Sequence, residues 1–226
     1  MDFARLFQSV EDAVYEVMVW ILLLPKTLFL ALFSPRKAIG YVEKEWDKKP
    51  DERFDEYLSP VLLWLLVTVI PFSLLIILGG DKLPASFTEG SKAFSDNLLP
   101  TTLYAMIVPF TYIAWMEIVN EGSIKRSALR LSFYKHCFAL TPGLLITALF
   151  LSLAISGIFL TPSIIIGLIA LPVYEAFVFQ SELKVKPKKS EPKAERENIS
   201  YIKAFLYAMV PQIVLAVILL IVILSS

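Results

Sequence analysis

Residues 138–179 form an almost uninterrupted apolar tract, in which the first charged residue is Glu175. A bilayer core of roughly 30 Å takes about 20 helical residues, so this tract is too long for one crossing. A Ser-Gly pair at 156–157 and a Thr-Pro pair at 161–162 are typical of a helix end followed by a new helix start. The pattern therefore predicts two membrane-spanning helices joined by a tight turn.

Three more apolar runs reach the length of a membrane-spanning helix. The sequence thus predicts an all-α, polytopic integral membrane bundle with five transmembrane helices and an amphipathic N-terminal region. The transmembrane domain covers 59–226 and contains a charged, proline-bearing linker at 181–200 that we expect to be mobile. The predicted spans are 61–78, 100–119, 136–156, 161–179 and 204–224.

The first 58 residues form a separate region in which apolar and charged positions mix. Apolar residues recur at helical spacing over 3–17, which predicts an amphipathic helix. The apolar run 17–33 continues this helix but carries Pro25 and Lys26 at its centre, and both disfavour a crossing. We therefore expect an interfacial or re-entrant segment kinked at Pro25. A short sixth span over 17–33 is the alternative, since about 17 residues is the lower limit for crossing.

Two Ser-Pro pairs, at 34–35 and 59–60, each predict a helix start, because serine is a favoured N-cap and proline a favoured first helical residue. The second pair opens the first span. Between them a short polar helix is predicted over 51–58. Phe54 and Tyr57 would share one face of that helix and rest against lipid headgroups.

Basic residues are distributed unevenly among the connections, although Lys+Arg and Asp+Glu are equal at 21 each. Eight lie before the first span, two in 81–99, four in 120–135 and seven in 181–203. Basic-rich and basic-poor sides alternate, which predicts a cytoplasmic N-terminus and an outer C-terminus. We expect a multi-pass protein of a bacterial inner (plasma) membrane. Its expected partners are the lipid bilayer and a protein partner or second copy, and no nucleic acid.

Three polar residues inside the predicted spans are the candidate functional residues, namely Glu117, Glu175 and Gln212. An intramembrane carboxylate indicates proton coupling or cation binding. Both carboxylates lie toward cytoplasmic ends, so the competing interpretation is that each snorkels or pairs with a cytoplasmic base. Gln212 is expected to make an interhelical hydrogen bond, worth on the order of 1 kcal/mol. The candidate bases are Lys125, Arg126 and Lys184.

His136 and Cys137 are adjacent, but the sequence does not favour a catalytic pair. Neighbours on a helix point about 100° apart, and no acidic residue lies close in sequence to orient the imidazole. We therefore expect an interfacial position. One cysteine and one histidine exclude an internal disulfide and a multi-histidine metal site. The chain carries no hydrolase, zinc-protease, phosphate-loop or dinucleotide motif, so neither enzymatic activity nor a cofactor is expected.

Small residues at four-residue spacing predict where the helices pack, because helices in lipid associate through close approach. We expect these contacts to lie within one monomer. The candidate packing residues are Ala148, Ser152 and Ser156 on span three, Ser163 and Gly167 on span four, and Ala208 on span five.

Three segments together resemble the Yip-type membrane domain: PRKAIGYVEKEW, YLSPVLLWLLVTVIPF and FYKHCFALTPGLLITALFLSLAISG. The similarity covers about 35–224 and lies in the layout, which has a cytoplasmic N-terminal region, five close spans and a tight hairpin of spans three and four. The D-L-Y-G-P signature of eukaryotic members is absent, so the chain is more similar to bacterial relatives known as inner-membrane proteins. The resemblance implies a fold and a location and supplies no functional residue.

These patterns favour a non-enzymatic membrane scaffold or interaction partner that acts through its cytoplasmic N-terminal region, residues 1–58. The amphipathic N-terminal helices and the scarcity of polar residues inside the spans support this hypothesis. The alternative is a small oligomeric channel or transporter that uses Glu117, Glu175 and Gln212. Against it, no span carries a polar stripe from one bilayer face to the other, which a water-lined path requires.

Overall fold

A computed structural model describes residues 3–68, 98–120, 126–155, 160–183 and 199–225. Within these ranges all regular structure is helical and no residue belongs to a β-strand, so the all-α prediction is confirmed for the described part of the chain. The helices are α1 (Phe3–Phe33), α2 (Pro35–Trp46), α3 (60–68), α4 (Leu98–Asn120), α5 (Arg126–Ile155), α6 (Leu160–Glu182) and α7 (Tyr201–Ser225).

Two of the described segments are long and apolar enough to cross a membrane, as judged by length and composition. The first is Phe7–Phe33 in α1, most of which is not buried in the protein, and the second is Leu129–Phe150 in α5, which is half-buried. α1 is one helix of 31 residues that continues through Pro25, where the sequence predicts a kink. The loss of one backbone hydrogen bond at the proline does not end the helix.

The two Ser-Pro pairs begin helices as predicted, but only one serine caps through its side chain. The Ser59 Oγ accepts a hydrogen bond from the backbone N–H of Leu62 at 3.3 Å. Ser34 makes no side-chain cap, and its carbonyl oxygen accepts from the N–H of Ala38 at 3.0 Å. The later part of the first predicted span, 69–78, lies outside the described residues.

The polar helix predicted over 51–58 is wrong. Only Pro50–Glu52 form a short 3-10 helix, and the chain then leaves helical geometry. Phe54 has a φ of 63°, a left-handed conformation in which an α-helix cannot continue. Tertiary contacts of its ring therefore decide the local structure, and the helical spacing of the sequence does not.

An aromatic cluster holds this segment against the bundle. The ring centroids of Phe54 and Tyr57 lie 6.2 and 4.9 Å from that of Tyr41 in α2. Phe54 also stacks on Tyr134 of α5, with centroids 5.6 Å apart. These rings pack on one another, which corrects the expectation that Phe54 and Tyr57 share a helical face against lipid headgroups.

The connection predicted over 120–135 is helical for most of its length, since α5 begins at Arg126. The apolar positions Leu131 and Phe133 pack on the core. Lys135, at the end of this stretch, is buried and paired with carboxylates. Arg130 and Lys135 therefore lie within α5 and do not mark its end.

α5 and α6 pack most extensively on each other, and they approach closely at Gly143. A Cβ atom at this position would lie 2.8 Å from the Cα of Leu171 and 3.0 Å from the carbonyl oxygen of Ala170. The candidate packing residue Ala148 is only half-buried. Ser156 lies outside the described residues, and the surroundings of Ser152, Ser163 and Gly167 are not described either.

α7 carries small residues on its buried face and large apolar residues on its outer face. Ala204 and Ala208 are both fully buried, so Ala208 packs where the sequence expects a helix contact. Ile202, Leu206 and Ile213 are 70, 60 and 54% exposed. A helix in water would reverse this distribution, whereas a helix in lipid packs through its small residues.

Candidate functional site

A buried, hydrogen-bonded pair of a histidine and a glutamate joins α5 to α6 in the interior of the bundle. The Nδ1 of His136 lies 2.6 Å from the Oε2 of Glu175, and both side chains are 0% exposed. Two expectations are corrected here. His136 is buried inside the protein and has an acidic partner. Glu175 does not project outward and pairs with no lysine or arginine among the described residues, outside which Lys125 and Lys184 lie.

The helical hairpin explains why two residues that are distant in sequence meet. His136 lies 20 residues before Ser156, and Glu175 lies 18 residues after Gly157. Residues at similar distances from the turn of an antiparallel helix pair lie at the same level. The turn predicted at 156–157 therefore implies that His136 and Glu175 lie at the same level. The sequence analysis missed this pair because it considered only acidic residues close to His136 in sequence.

Aromatic rings surround the pair and separate it from water. The ring centroids of Tyr112 and Phe179 lie 6.3 and 6.1 Å from that of His136, and both rings are 0% exposed. Cys137 is buried beside them and is a free thiol. An imidazole and a carboxylate in such surroundings are costly to ionise separately, so their mutual hydrogen bond is essential to keeping them buried.

Each member of the pair retains one polar atom with no partner among the described residues. These atoms are the Nε2 of His136 and the Oε1 of Glu175, and both are buried. The pair can hold one proton between Nδ1 and Oε2 and can take up or release another at these two atoms. Buried polar atoms are nearly always hydrogen-bonded, so the arrangement is suited to proton binding or to a polar ligand.

A second set of charges lies at the end of the bundle next to this pair. Lys135 is 7% exposed, and its Nζ lies 2.7 Å from the Oε1 of Glu43 and 2.8 Å from the Oε1 of Glu182. The Oγ of Ser132 donates a hydrogen bond to the Oε2 of Glu182 at 3.1 Å. One lysine thus joins carboxylates of α2 and α6 to α5, a network that the sequence analysis missed.

Glu117 and Gln212 do not join the pair. Glu117 is partly exposed on α4. The Oε1 of Gln212 accepts a hydrogen bond from the hydroxyl of Tyr112 at 3.4 Å, which links α4 to α7 at the long end of hydrogen-bond distances. Gln212 therefore contacts the ring that covers His136 and does not contact the pair itself.

A groove of about 330 Å³ lies between α2 and α6 beside the charged network. The Nη2 of Arg36 donates to the Oε1 of Gln180 at 3.0 Å, and the guanidinium carbon lies 5.7 Å from the ring centroid of Phe177. We call this cleft the α2–α6 groove. Its lining includes Arg36, Ile39, Gly40 and Glu43 of α2, with Phe177 and Gln180 of α6.

The described residues contain no group of three or more His, Cys, Asp or Glu side chains placed to hold a metal ion. Comparison with known proteins gives no relatives: no family model matches the chain, and no curated protein or solved structure is significantly similar to it. The proposals that follow therefore rest on this chain's own residues.

Proposed function

We propose that this chain is a non-enzymatic, multi-pass membrane protein that organises the lipid bilayer through its N-terminal region, residues 1–58. The observation that carries the proposal is an apolar stripe along the first half of α1. Val10, Val14 and Met18 are 55, 55 and 58% exposed. Asp12 and Glu16 project from the other side of the same helix, as in helices that lie in a membrane interface.

Contacts of the second half of α1 support a position along the membrane surface. The Nζ of Lys26 donates to the carbonyl oxygen of Glu56 at 3.0 Å and lies 4.3 Å from the ring centroid of Tyr57. The Oγ1 of Thr27 accepts from the N–H of Leu58 at 3.1 Å. These partners immediately precede the first span, so the centre of the apolar segment 17–33 is level with the membrane entry. A crossing centred on Lys26 would draw these polar groups into the hydrocarbon.

The remainder of the proposed topology comprises the five spans, with the N-terminus in the cytoplasm, the C-terminus outside and a bacterial inner membrane as location. The membrane-capable segment Leu129–Phe150 of α5 and the outward-facing large residues of α7 support it. Membership of the Yip-type membrane domain is part of the same proposal. It is supported by the resembling segments and by the α5–α6 hairpin.

The scaffold role is tested by removing the apolar stripe of α1 in the full chain. A triple Val10→Ser, Val14→Ser, Met18→Ser variant and the wild type are reconstituted into vesicles of phosphatidylethanolamine and phosphatidylglycerol. We expect the wild type to cluster or deform the vesicles in cryo-electron micrographs. Vesicles that contain the triple variant should look the same as protein-free vesicles. The control, Asp12→Ser with Glu16→Ser, should retain the effect. Equal behaviour of wild type and stripe variant would overturn the proposal.

A second candidate function, a small oligomeric proton-linked channel or transporter, is favoured by the buried His136–Glu175 pair. Proton-coupled membrane proteins bind protons at buried carboxylate and histidine side chains. The same vesicles, loaded with a pH-sensitive dye, test it. Proton flux that Glu175→Gln abolishes and Glu117→Gln leaves intact would establish transport. If the wild type shows no flux above that of empty vesicles, this second function is excluded.

A further inference from the structure

The α2–α6 groove combines a cationic end with an apolar wall. Arg36 is exposed at one end, while Ile39 and Phe177 supply apolar surface along the groove. Gly40 also lines the groove, and a Cβ atom added at this residue would meet no other atom within 4 Å. The absence of a side chain at residue 40 therefore keeps open the space between the cation and the apolar wall.

Arg36 supplies the cationic group of this groove. Arg36 contacts only neutral groups among the described residues, the amide oxygen of Gln180 and the ring of Phe177. Glu43, the carboxylate in the groove, shares Lys135 with Glu182, at 2.7 and 2.8 Å. An anionic group bound beside Arg36 would therefore meet an unpaired guanidinium without displacing an existing ion pair.

The position and size of the groove indicate what this anion is. Phe177 lies near the end of the predicted span 161–179 and Gln180 just beyond it, at the depth where phospholipid headgroups lie. A volume of about 330 Å³ is at the lower end of ligand pockets and suits a headgroup. Phosphate would meet Arg36, and the adjoining glycerol and first acyl carbons would lie along Ile39 and Phe177.

We propose that the α2–α6 groove binds the phosphate headgroup of an anionic phospholipid. This inference rests on the proposed membrane location of the chain and gives the N-terminal region a specific lipid contact in addition to the apolar stripe of α1. In this assignment Arg36 is the residue that recognises phosphate. The bound lipid would connect α2 to α6 on the cytoplasmic side of the bundle.

Native mass spectrometry of the full chain in detergent micelles tests the assignment, with phosphatidylglycerol as probe and phosphatidylcholine as the neutral comparison. We expect Arg36→Gln to weaken phosphatidylglycerol binding about tenfold, because it removes a charge-assisted contact. Gly40→Leu should weaken it similarly by filling the groove. Lys37→Gln is the matched control, since this neighbouring lysine is exposed on the same helix and does not line the groove.

The outcomes separate the possible sources of phosphate. If glycerol 3-phosphate binds with the same affinity as phosphatidylglycerol and displaces it, the groove binds a free phosphate ester and the lipid assignment is overturned. If Lys37→Gln weakens binding as much as Arg36→Gln does, attraction is unspecific and no site exists. Equal retention of phosphatidylcholine and phosphatidylglycerol has the same consequence.

Failure of this inference is distinguishable from failure of the proposed function. Alkaline carbonate extraction of membranes is performed first on the wild type. A chain released by carbonate is not an integral membrane protein, which would defeat the proposed function and this inference with it. A chain that stays in the membrane but shows no Arg36-dependent lipid preference defeats the groove assignment alone.

Discussion

At the scale of single residues, His136 and Glu175 show how two groups that lipid disfavours become stable together. Each would be costly to bury alone, and the 2.6 Å contact between them lowers that cost. The pair could be predicted only by combining the position of the hairpin turn with both residue types. Phe54 offers no comparable signal, because its positive φ depends on rings that reach it from α2 and α5.

A double-mutant cycle measures how strongly this pair is coupled. We expect His136→Phe and Glu175→Leu each to destabilise the protein by about 3 kcal/mol, since each leaves a buried polar partner unpaired. The double variant should recover most of this loss, because two apolar side chains can pack without unpaired polar atoms. The measurement is the midpoint of unfolding as sodium dodecyl sulfate is added to micelles of a mild detergent. Additive losses would show that the two residues are not coupled.

Glu45 controls the turn that follows α2, and its effect depends on pH. Its Oε1 accepts from the Nζ of Lys48 at 2.6 Å and its Oε2 from the N–H of Phe54 at 2.8 Å. Burial alone would raise the pKa of this carboxyl, but the hydrogen bonds outweigh it and hold the pKa below the usual 4.5. A lowered pKa in the folded state stabilises the turn above about pH 4.5. The stabilisation is lost as the pH falls through the folded pKa.

The variant Glu45→Gln should therefore destabilise this turn at pH 7 by roughly 1–2 kcal/mol, a value reduced for the exposure of Lys48. At a pH low enough to protonate the carboxyl, the variant and the wild type should converge. Hydrogen exchange of the segment 47–58, compared between the two proteins at each pH, measures the difference. Equal protection of this segment at pH 7 in both proteins would contradict the role assigned to Glu45.

At the scale of helices, apolar runs predicted where the described helices lie but not all of their ends. A helix starts at Pro60 as predicted, and α4, α5, α6 and α7 are helical where the sequence predicts spans two to five. α5 extends ten residues ahead of its predicted span because Lys135 and Ser132 find partners on α6. Partners of this kind come from other helices, so hydropathy along one segment cannot reveal them.

The close approach of α5 and α6 at Gly143 gives a prediction at this scale. Gly143→Ala should destabilise the α5–α6 hairpin by about 1–3 kcal/mol, because the new methyl group would meet backbone atoms of Ala170 and Leu171 that cannot rotate away. Gly40→Ala is the matched control, since its Cβ meets nothing within 4 Å. It should leave stability unchanged or raise it by up to about 1 kcal/mol, the helix propensity difference. Detergent unfolding midpoints compare the two, and equal shifts would contradict the close approach.

At the scale of the whole molecule, the proposed topology and the position of α1 depend on one another. α1 is long enough to cross a membrane, but hydrogen bonds of Lys26 and Thr27 connect its centre to residues just before the first predicted span. An interfacial α1 keeps residue 12 in the cytoplasm, whereas a crossing α1 moves it outside and leaves every later connection where it was. One set of labelling sites can therefore decide both questions.

Single cysteines introduced at five sites provide this test in inverted and right-side-out membrane vesicles. The native Cys137 is buried and is replaced by alanine, so that each variant carries one thiol. With a membrane-impermeant maleimide we expect labelling from the cytoplasmic side at Asp12, Asp47 and Ser200, and from the outer side at Ser91 and Ser226. Labelling of Asp12 from the outer side, with the other four sites labelled as expected, would establish α1 as a sixth span. Labelling of Ser91 and Ser200 from the same side would refute the alternating topology, because spans two, three and four lie between these sites and place them on opposite sides of the membrane.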